Sequence, residues 1–212
     1  MQTIDELLNL ANKGDLDAQG ELAVRYIDGI GISKDEAKGR ELLEKAANSG
    51  HARSQYNIGR CYLFGLWGSI KNERKGIDYL ERSTGQRTTT AETLLGICYF
   101  DGIGVAVDRK KAVDLYQRAA DKGDAEGQGL LGNAYKMVQN YDEAFKWFEK
   151  AAEQNVPASA APQYQLGLCY AAGTGVAHDI DKARYWIKKA ADNGNPEAKE
   201  ACIAMQNARN AG

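Results

Sequence analysis

The 212-residue sequence carries 27 basic and 29 acidic residues, a formal net charge of −2 at pH 7, and 43% of its residues are hydrophobic. That balance supports a buried core under an ordinary charged surface. With no basic excess, it excludes the electrostatic footprint of a nucleic-acid binder. No apolar run approaches the ~18–20 residues of a membrane span, and 23 glycines against 3 prolines suit short helices joined by glycine-containing turns.

The start, "MQTIDELLNL", shows no basic leader followed by an apolar block, so no signal peptide is expected and the cytoplasm is favoured. The alternative is an exported form whose leader has been removed. Residues 3–14 read as a lone helix, with Leu7, Leu8 and Ala11 as its apolar face and Gly14 as terminator.

From there the chain repeats itself. The segments "ELAVRY" (21–26), "YNIGRCY" (56–62), "LLGICY" (94–99), "LLGNAY" (130–135) and "YQLGLCY" (164–170) place tyrosines at Tyr26, Tyr62, Tyr99, Tyr135 and Tyr170, spaced by 36, 37, 36 and 35 residues. A second motif follows each: "LLEKAANSG" (42–50), the degraded "YLERSTGQ" (79–86), "LYQRAADKG" (115–123), "WFEKAAEQN" (147–155) and "WIKKAADNG" (186–194). In the intact copies its apolar pair and alanine pair lie four apart, on one face of a helix. The glycine or asparagine after them is the usual left-handed terminator.

Each unit is therefore two antiparallel helices, A then B, neither able to bury its apolar face alone. The expected units are 15–50, 51–87, 88–123, 124–157 and 158–194, within a single repeat domain spanning 1–212. Gly59, Gly96, Gly132 and Gly167 would let helix B approach helix A closely, and Ala46, Ala119, Ala151 and Ala190 would do the same for the next unit.

The A-to-B connections are "DGIGISKD" (28–35), "FGLWGSIKN" (64–72), "DGIGVAVD" (101–108) and "AGTGVAHD" (172–179). A phosphate-cradling loop normally follows a strand and occurs once per site. This motif follows a helix and recurs, so it reads as a turn whose last acid, Asp35, Asp108 or Asp179, caps helix B. The fourth unit runs directly through "KMVQNYDEA" (136–144), a turn four residues shorter. There Asn140 and Glu143 stand at capping-box spacing. Residues 195–210 read as a lone helix A, started by Asn195 and Pro196. Ile203 in its glycine slot and Gln206 in its tyrosine slot suit a terminal cap.

These residues resemble a known family. Ala91, Leu95, Gly96, Tyr99, Gly102, Gly104, Val105, Lys111, Ala112, Tyr116, Ala119, Ala120 and Gly123 match the pattern of Sel-one-like repeats. The fifth unit, with Trp186 at the aromatic slot, matches about as well. The short-turn fourth unit, with Tyr141, Ala144 and Trp147, looks more like the parent tetratricopeptide repeats. The resemblance implies an all-α fold: a right-handed α–α superhelical solenoid of about five helix pairs, with a lone helix at each end and a concave face lined by A helices. It also implies work as a protein-binding adaptor or scaffold, often in bacterial signalling, envelope or host-interaction settings. Exported relatives staple A to B with paired cysteines. Here Cys61, Cys98, Cys169 and Cys202 have no partners on B helices.

Chemistry is sparse. Cys61, Cys98 and Cys169 share a slot that holds Ala134 in the fourth unit, which marks a small buried site. His51 and His178 fall in turns, with no neighbouring acid or cysteine cluster, so no metal, cofactor or catalytic set is expected. The run "RKK" (109–111) reads as a solvated face.

The helical period turns Val24 and Ile27, Arg60 and Leu63, Ile97 and Phe100, Asn133 and Lys136, and Leu168 and Ala171 inward. Tyr56, Thr93 and Tyr164 lie two before each aliphatic slot, and Phe64 and Met137 six after. The candidate partner-binding groove is Tyr56, Arg60, Phe64, Ile97, Phe100, Asn133, Lys136 and Tyr164. Asn133 with Lys136 resembles the carboxylate-holding pairs of peptide-binding tetratricopeptide proteins, although Gly129 stands where a basic residue is expected. The competing reading is that Leu63, Phe64 and Phe100 simply pack between units. The expected function is a non-catalytic, monomeric scaffold holding a protein or peptide. The alternatives are a hydrolase-type enzyme, as proposed for some relatives, and a self-assembling structural element.

Overall fold

The structure, a computed structural model, describes residues 2–86 and 88–210, with side chains up to residue 207. The boundary expected at Arg87 and the extreme ends of the 1–212 span lie outside the described residues. Among the described residues are twelve α-helices and no β-strand: α1 (Ile4–Asn12), α2 (Leu16–Asp28), α3 (Glu36–Asn48), α4 (Ala52–Phe64), α5 (Glu73–Ser83), α6 (Thr89–Asp101), α7 (Arg109–Asp121), α8 (Ala125–Met137), α9 (Tyr141–Glu153), α10 (Ala160–Ala172), α11 (Ile180–Asp192) and α12 (Pro196–Asn210). Two compact units divide the chain, Met1–Ala112 and Val113–Gly212.

Within each unit, an A helix packs against the B helix that follows it and against the B helix before it. The first contact is close because a residue is missing its side chain. A Cβ on Gly59 would stand 3.1 Å from the Gly76 carbonyl oxygen, one on Gly132 would stand 2.7 Å from the Phe148 ring, and one on Gly167 would stand 2.7 Å from Ile187. Two of the B helices reciprocate: a Cβ on Gly39 would meet Ile27 at 2.6 Å, and one on Gly76 would meet Leu63 at 2.7 Å. The alanines expected at the next contact, Ala46, Ala119, Ala151 and Ala190, are fully buried.

The A-to-B turns are built alike. Gly29, Gly65, Gly102 and Gly173 end α2, α4, α6 and α10 in the left-handed region. The caps of the following B helices are Asp35, Asn72, Asp108 and Asp179, whose side chains accept from the N–H of the third residue onward. Each cap's own N–H bonds back to the carbonyl of the repeated tyrosine: Tyr26, Tyr62, Tyr99 and Tyr170, at 2.7–3.0 Å. The short turn keeps that bond, from Asn140 to Tyr135 at 3.0 Å. Its capping box is incomplete. The Glu143 N–H reaches Asn140 at a long 3.4 Å, and the Glu143 carboxylate turns to Lys146 instead. The reciprocal box occurs at α1, between Thr3 and Glu6.

Two polar columns tie neighbouring repeats. On one, Gln19, Gln55, Gln128 and Gln163, each seven residues before a repeated tyrosine, are buried and donate to Ala11, Ala47, Ala120 and Ala152 carbonyls of the preceding B helix at 3.0–3.2 Å. Those carbonyls belong to the last helical turn, beyond the reach of the regular helical ladder; Ala11, Ala47 and Ala120 also accept from the N–H of the following glycine at 3.0–3.1 Å. On the other, the tyrosine hydroxyl meets an acid from the preceding B helix and a lysine from its own. Tyr62 donates to Glu44 at 3.0 Å, and Lys75 bonds both Glu44 (2.8 Å) and the Tyr62 oxygen (2.7 Å). Tyr99, Glu81 and Lys111 repeat the arrangement. The fourth repeat has Gln117 and Glu143 at those positions and loses it: they turn to Asp121 and Lys146. Partial burial works against charge on both Glu44 and Lys75. Their mutual bond, with those from the tyrosines, outweighs it, holding the Glu44 carboxyl below its ordinary range and the Lys75 ammonium above.

Two measurements test this frame. Gly175 and Gly50 both have positive φ, +71° and +96°, but a Cβ on Gly175 would overlap the Tyr141 carbonyl, whereas Gly50 faces open space. Gly50→Ala should cost about 1 kcal/mol for the left-handed backbone alone, and Gly175→Ala about 3 kcal/mol once overpacking is added, read from urea midpoints. Glu44, its pKa lowered by folding, contributes stability above the unfolded carboxyl value of about 4.3. That contribution is lost as pH falls through the folded value. Glu44→Gln should therefore lower stability at pH 6 by about 0.5–1 kcal/mol, the range for a solvent-screened pair, and the gap should close as pH falls below the lowered folded value.

Candidate functional site

In the first unit, helix α4 is held by its inward face. Ile58, Cys61 and Leu63 are fully buried, and Gln55 anchors its start to α3. The opposite stripe, Arg53, Tyr56, Asn57 and Arg60, is left partly open at helical i, i+3, i+4, i+7 spacing. It forms one wall of a groove of about 660 Å³ whose other lining includes Val24 and Asp28 of α2, Trp67 of the A-to-B turn, and Thr88–Thr90 at the start of α6. The Arg60 guanidinium lies over the Tyr56 ring, 5.6 Å from its centre. Trp67 has φ of 52° and its carbonyl accepts from Arg40 at 2.6 Å. It occupies the extra residue of this turn, which separates Gly65 from its cap Asn72 by one position more than in the other long turns.

The expected groove residues fall in several surroundings. Tyr56 and Arg60 line the groove together. Phe64 is 48% exposed at the far end of α4. Ile97 and Phe100 are partly exposed on α6, with the Arg109 guanidinium 5.6 Å from the Phe100 ring centre. In the second unit Asn133 and Lys136 are exposed on α8; Asn133 lines a separate hollow of about 530 Å³, and Lys136 donates to Gln165 at 2.9 Å. Tyr164 packs against the cluster of Ile187, Ala190 and Ala198 that joins α11 to α12.

Two positions expected to face inward do not: Leu63 and Thr93 are 0% and 1% exposed. Ile27, 5% exposed, keeps an edge on the groove. Ile27 and Leu63 fill the space left by Gly39 and Gly76 on the paired B helix, so the position five past the aliphatic slot belongs to the A–B contact there. Asp28, Arg53, Asn57, Trp67 and Thr88–Thr90 are lining residues that helical phase did not single out. Arg53 was legible as the residue seven before Arg60, on the same helical face.

His51 has the acid neighbour that its sequence context lacks. Its Nε2 lies 3.0 Å from Asp17 Oδ1, and its Nδ1 lies 2.8 Å from Ser54 Oγ. In the neutral ring both contacts are satisfied when Nε2–H donates to Asp17 and the Ser54 hydroxyl donates to Nδ1; in the charged ring both nitrogens donate. Gly20 makes room for the ring, since a Cβ there would meet His51 Cε1 at 2.9 Å. The cysteines sit apart from this network. Cys61, Cys98 and Cys169 are buried, and burial raises all three thiols, Cys98 to about 11. At neutral pH they are thiols rather than reactive thiolates.

Sel1 repeats match residues 16–51, 52–85, 89–124, 127–156 and 163–195. The chain belongs to the Sel1 repeat family. Rat DAP3-binding cell death enhancer 1 is 41% identical over 174 residues, which are 80% of this chain and 33% of that protein. The chain thus spans about a third of that relative's length. A Sel1 repeat protein from Oxalobacter formigenes superposes with a TM-score of 0.83 at 28% identity, covering 92% of this chain and 79% of that one. A protective antigen of uropathogenic Escherichia coli, displaying the same repeat fold, gives a TM-score of 0.84 at 31% identity, covering 92% of this chain and 42% of that one. The fold is thus the α–α solenoid class of Sel1 repeats, within the tetratricopeptide-like superfamily, and Sel1 repeats generally serve as protein-interaction scaffolds. Among the described residues no helix is long and apolar enough to cross a membrane.

Proposed function

We propose that this chain is a non-catalytic scaffold that holds a protein or peptide on the A-helix faces of its two units. The observation that carries the reading is the α4 groove, where an aromatic ring, two guanidinium groups and aliphatic surface converge in an open channel of about 660 Å³. That mixture suits main-chain and side-chain recognition of an extended segment. Tyr56, Phe64 and Phe100, with Ile97 and Tyr164, supply apolar surface; Arg60, Asn133 and Lys136 supply polar contacts. The rat relative, named for binding another protein, supports the same class of activity. The working unit is a monomer, and its four free cysteines suit a reducing compartment such as the cytoplasm.

A second reading, a hydrolase, has one observation in its favour: Asp17, His51 and Ser54 form a hydrogen-bonded chain of the residue types used by nucleophilic serine enzymes. Ser54 is 1% exposed, while the Asp17 side chain is 97% exposed. That is the reverse of what the chemistry needs, an accessible nucleophile and a sheltered acid. The chain of bonds works better as a clasp between the first and second repeats.

Two experiments separate these readings. Alanine at Tyr56, Arg60, Phe64, Phe100, Asn133 and Lys136 together should abolish partner capture from native-cell lysate while leaving helicity intact; unchanged capture removes the groove assignment. A fluorophosphonate probe should label no serine, and His51→Ala should lower stability by about 1–2 kcal/mol through its two lost bonds. Labelling of Ser54 that disappears in Ser54→Ala would instead establish the hydrolase.

A further inference from the structure

The inner face of a repeat is free to vary where the packing positions are not, and within this chain it varies most at the second repeat. Two residues before the buried glutamine column stand Asp17, Arg53, Thr90, Glu126 and Ala161 in successive A helices; five residues after it stand Val24, Arg60, Ile97, Asn133 and Leu168. Only α4 carries a cation at both places. Among the described residues neither Arg53 nor Arg60 is ion-paired, whereas Arg25 and Arg184 lie 3.0 Å and 3.7 Å from Glu21 and Asp181. Arg60 instead lies over the Tyr56 ring. Among its lining residues the groove holds one acid, Asp28, against these two guanidinium groups, a local surplus of positive charge in a protein whose formal net charge is −2; Arg53 also borders a hollow lined by Asp15, Asp17 and Glu21.

From this we infer that the α4 groove selects an acidic segment with two carboxylates three residues apart, a partner class that rests on the scaffold reading above. Seven helical residues separate the arginines by about 10.5 Å along α4. In an extended polyproline II segment, residues i and i+3 share one face and lie about 9 Å apart. One carboxylate then meets Arg60 and the other meets Arg53. The residues between them lie over Tyr56 and Val24, and each guanidinium can grip a carboxylate through two N–H donors. Asp28 disfavours a third acid on the same segment.

The test is selection of random dodecamer peptides, displayed on phage, on the immobilised full chain. The expected result is enrichment of Asp or Glu at i and i+3. Synthetic versions should bind about tenfold more weakly to Arg53→Gln/Arg60→Gln, the sum of two exposed pairs, and weaken as salt rises from 50 to 300 mM. Replacing both acids by their amides should cost the same. Arg53 is exposed and Arg60 half-buried over the Tyr56 ring, so in the double variant circular dichroism should be unchanged and the urea midpoint should fall by no more than the loss of that one contact. If enriched peptides lack the acid pair and are lost only in the six-alanine variant, the acidic preference is wrong while the groove still binds. If nothing is enriched, or if neither set of substitutions affects capture, the preference and the groove reading both fall.

Discussion

The rest of the structure depends on how closely helix A can approach helix B. Gly59, Gly132 and Gly167 put backbone where a side chain would otherwise stand, so aliphatic and aromatic residues of the partner helix press directly on the main chain. At normal spacing a short helix pair cannot bury enough apolar surface to offset the entropy of ordering it. Closer contact raises the buried area per residue and fixes which side chains are drawn inside. Leu63 is buried against Gly76, while Phe64, one residue on, is half exposed.

Close packing of short helices also exposes a cost, since every helix ends in carbonyls with no donor. The buried glutamines meet it by donating to the last turn of the preceding B helix. The tyrosine–glutamate–lysine clasp of the second and third repeats adds a charged joint of the same kind at the periphery. With most repeats pinned at turn, glutamine and glycine, the residues of the open A-helix face carry little of the structural work. This is the physical basis for reading function there. Chemistry elsewhere is muted: the thiols are buried and protonated, and the histidine that meets a serine and an acid holds the serine out of reach.

The fold was legible because it is periodic. The tyrosine spacing, the glycine three residues before it in four repeats, the aspartate or asparagine at the end of each long turn and the alanine pair of four B helices are local signals repeated four or five times. Repetition separates them from chance. The buried glutamines share that period and could have been read in the same way. The groove was half legible. Tyr56 and Arg60 follow from helical phase, but phase alone turned Leu63 and Thr93 to the same side, and packing took them inside.

The sequence by itself determined the repeat, its helix pairs, the caps and the turns, because each depends on residues within a few positions of one another. Only the tertiary structure decided which stripe of each A helix stays open, that among the described residues neither Arg53 nor Arg60 is ion-paired, and that Asp17 reaches His51 across 34 residues of chain. Those outcomes depend on side chains brought together from different repeats, and no local pattern records how two packed surfaces divide the space between them.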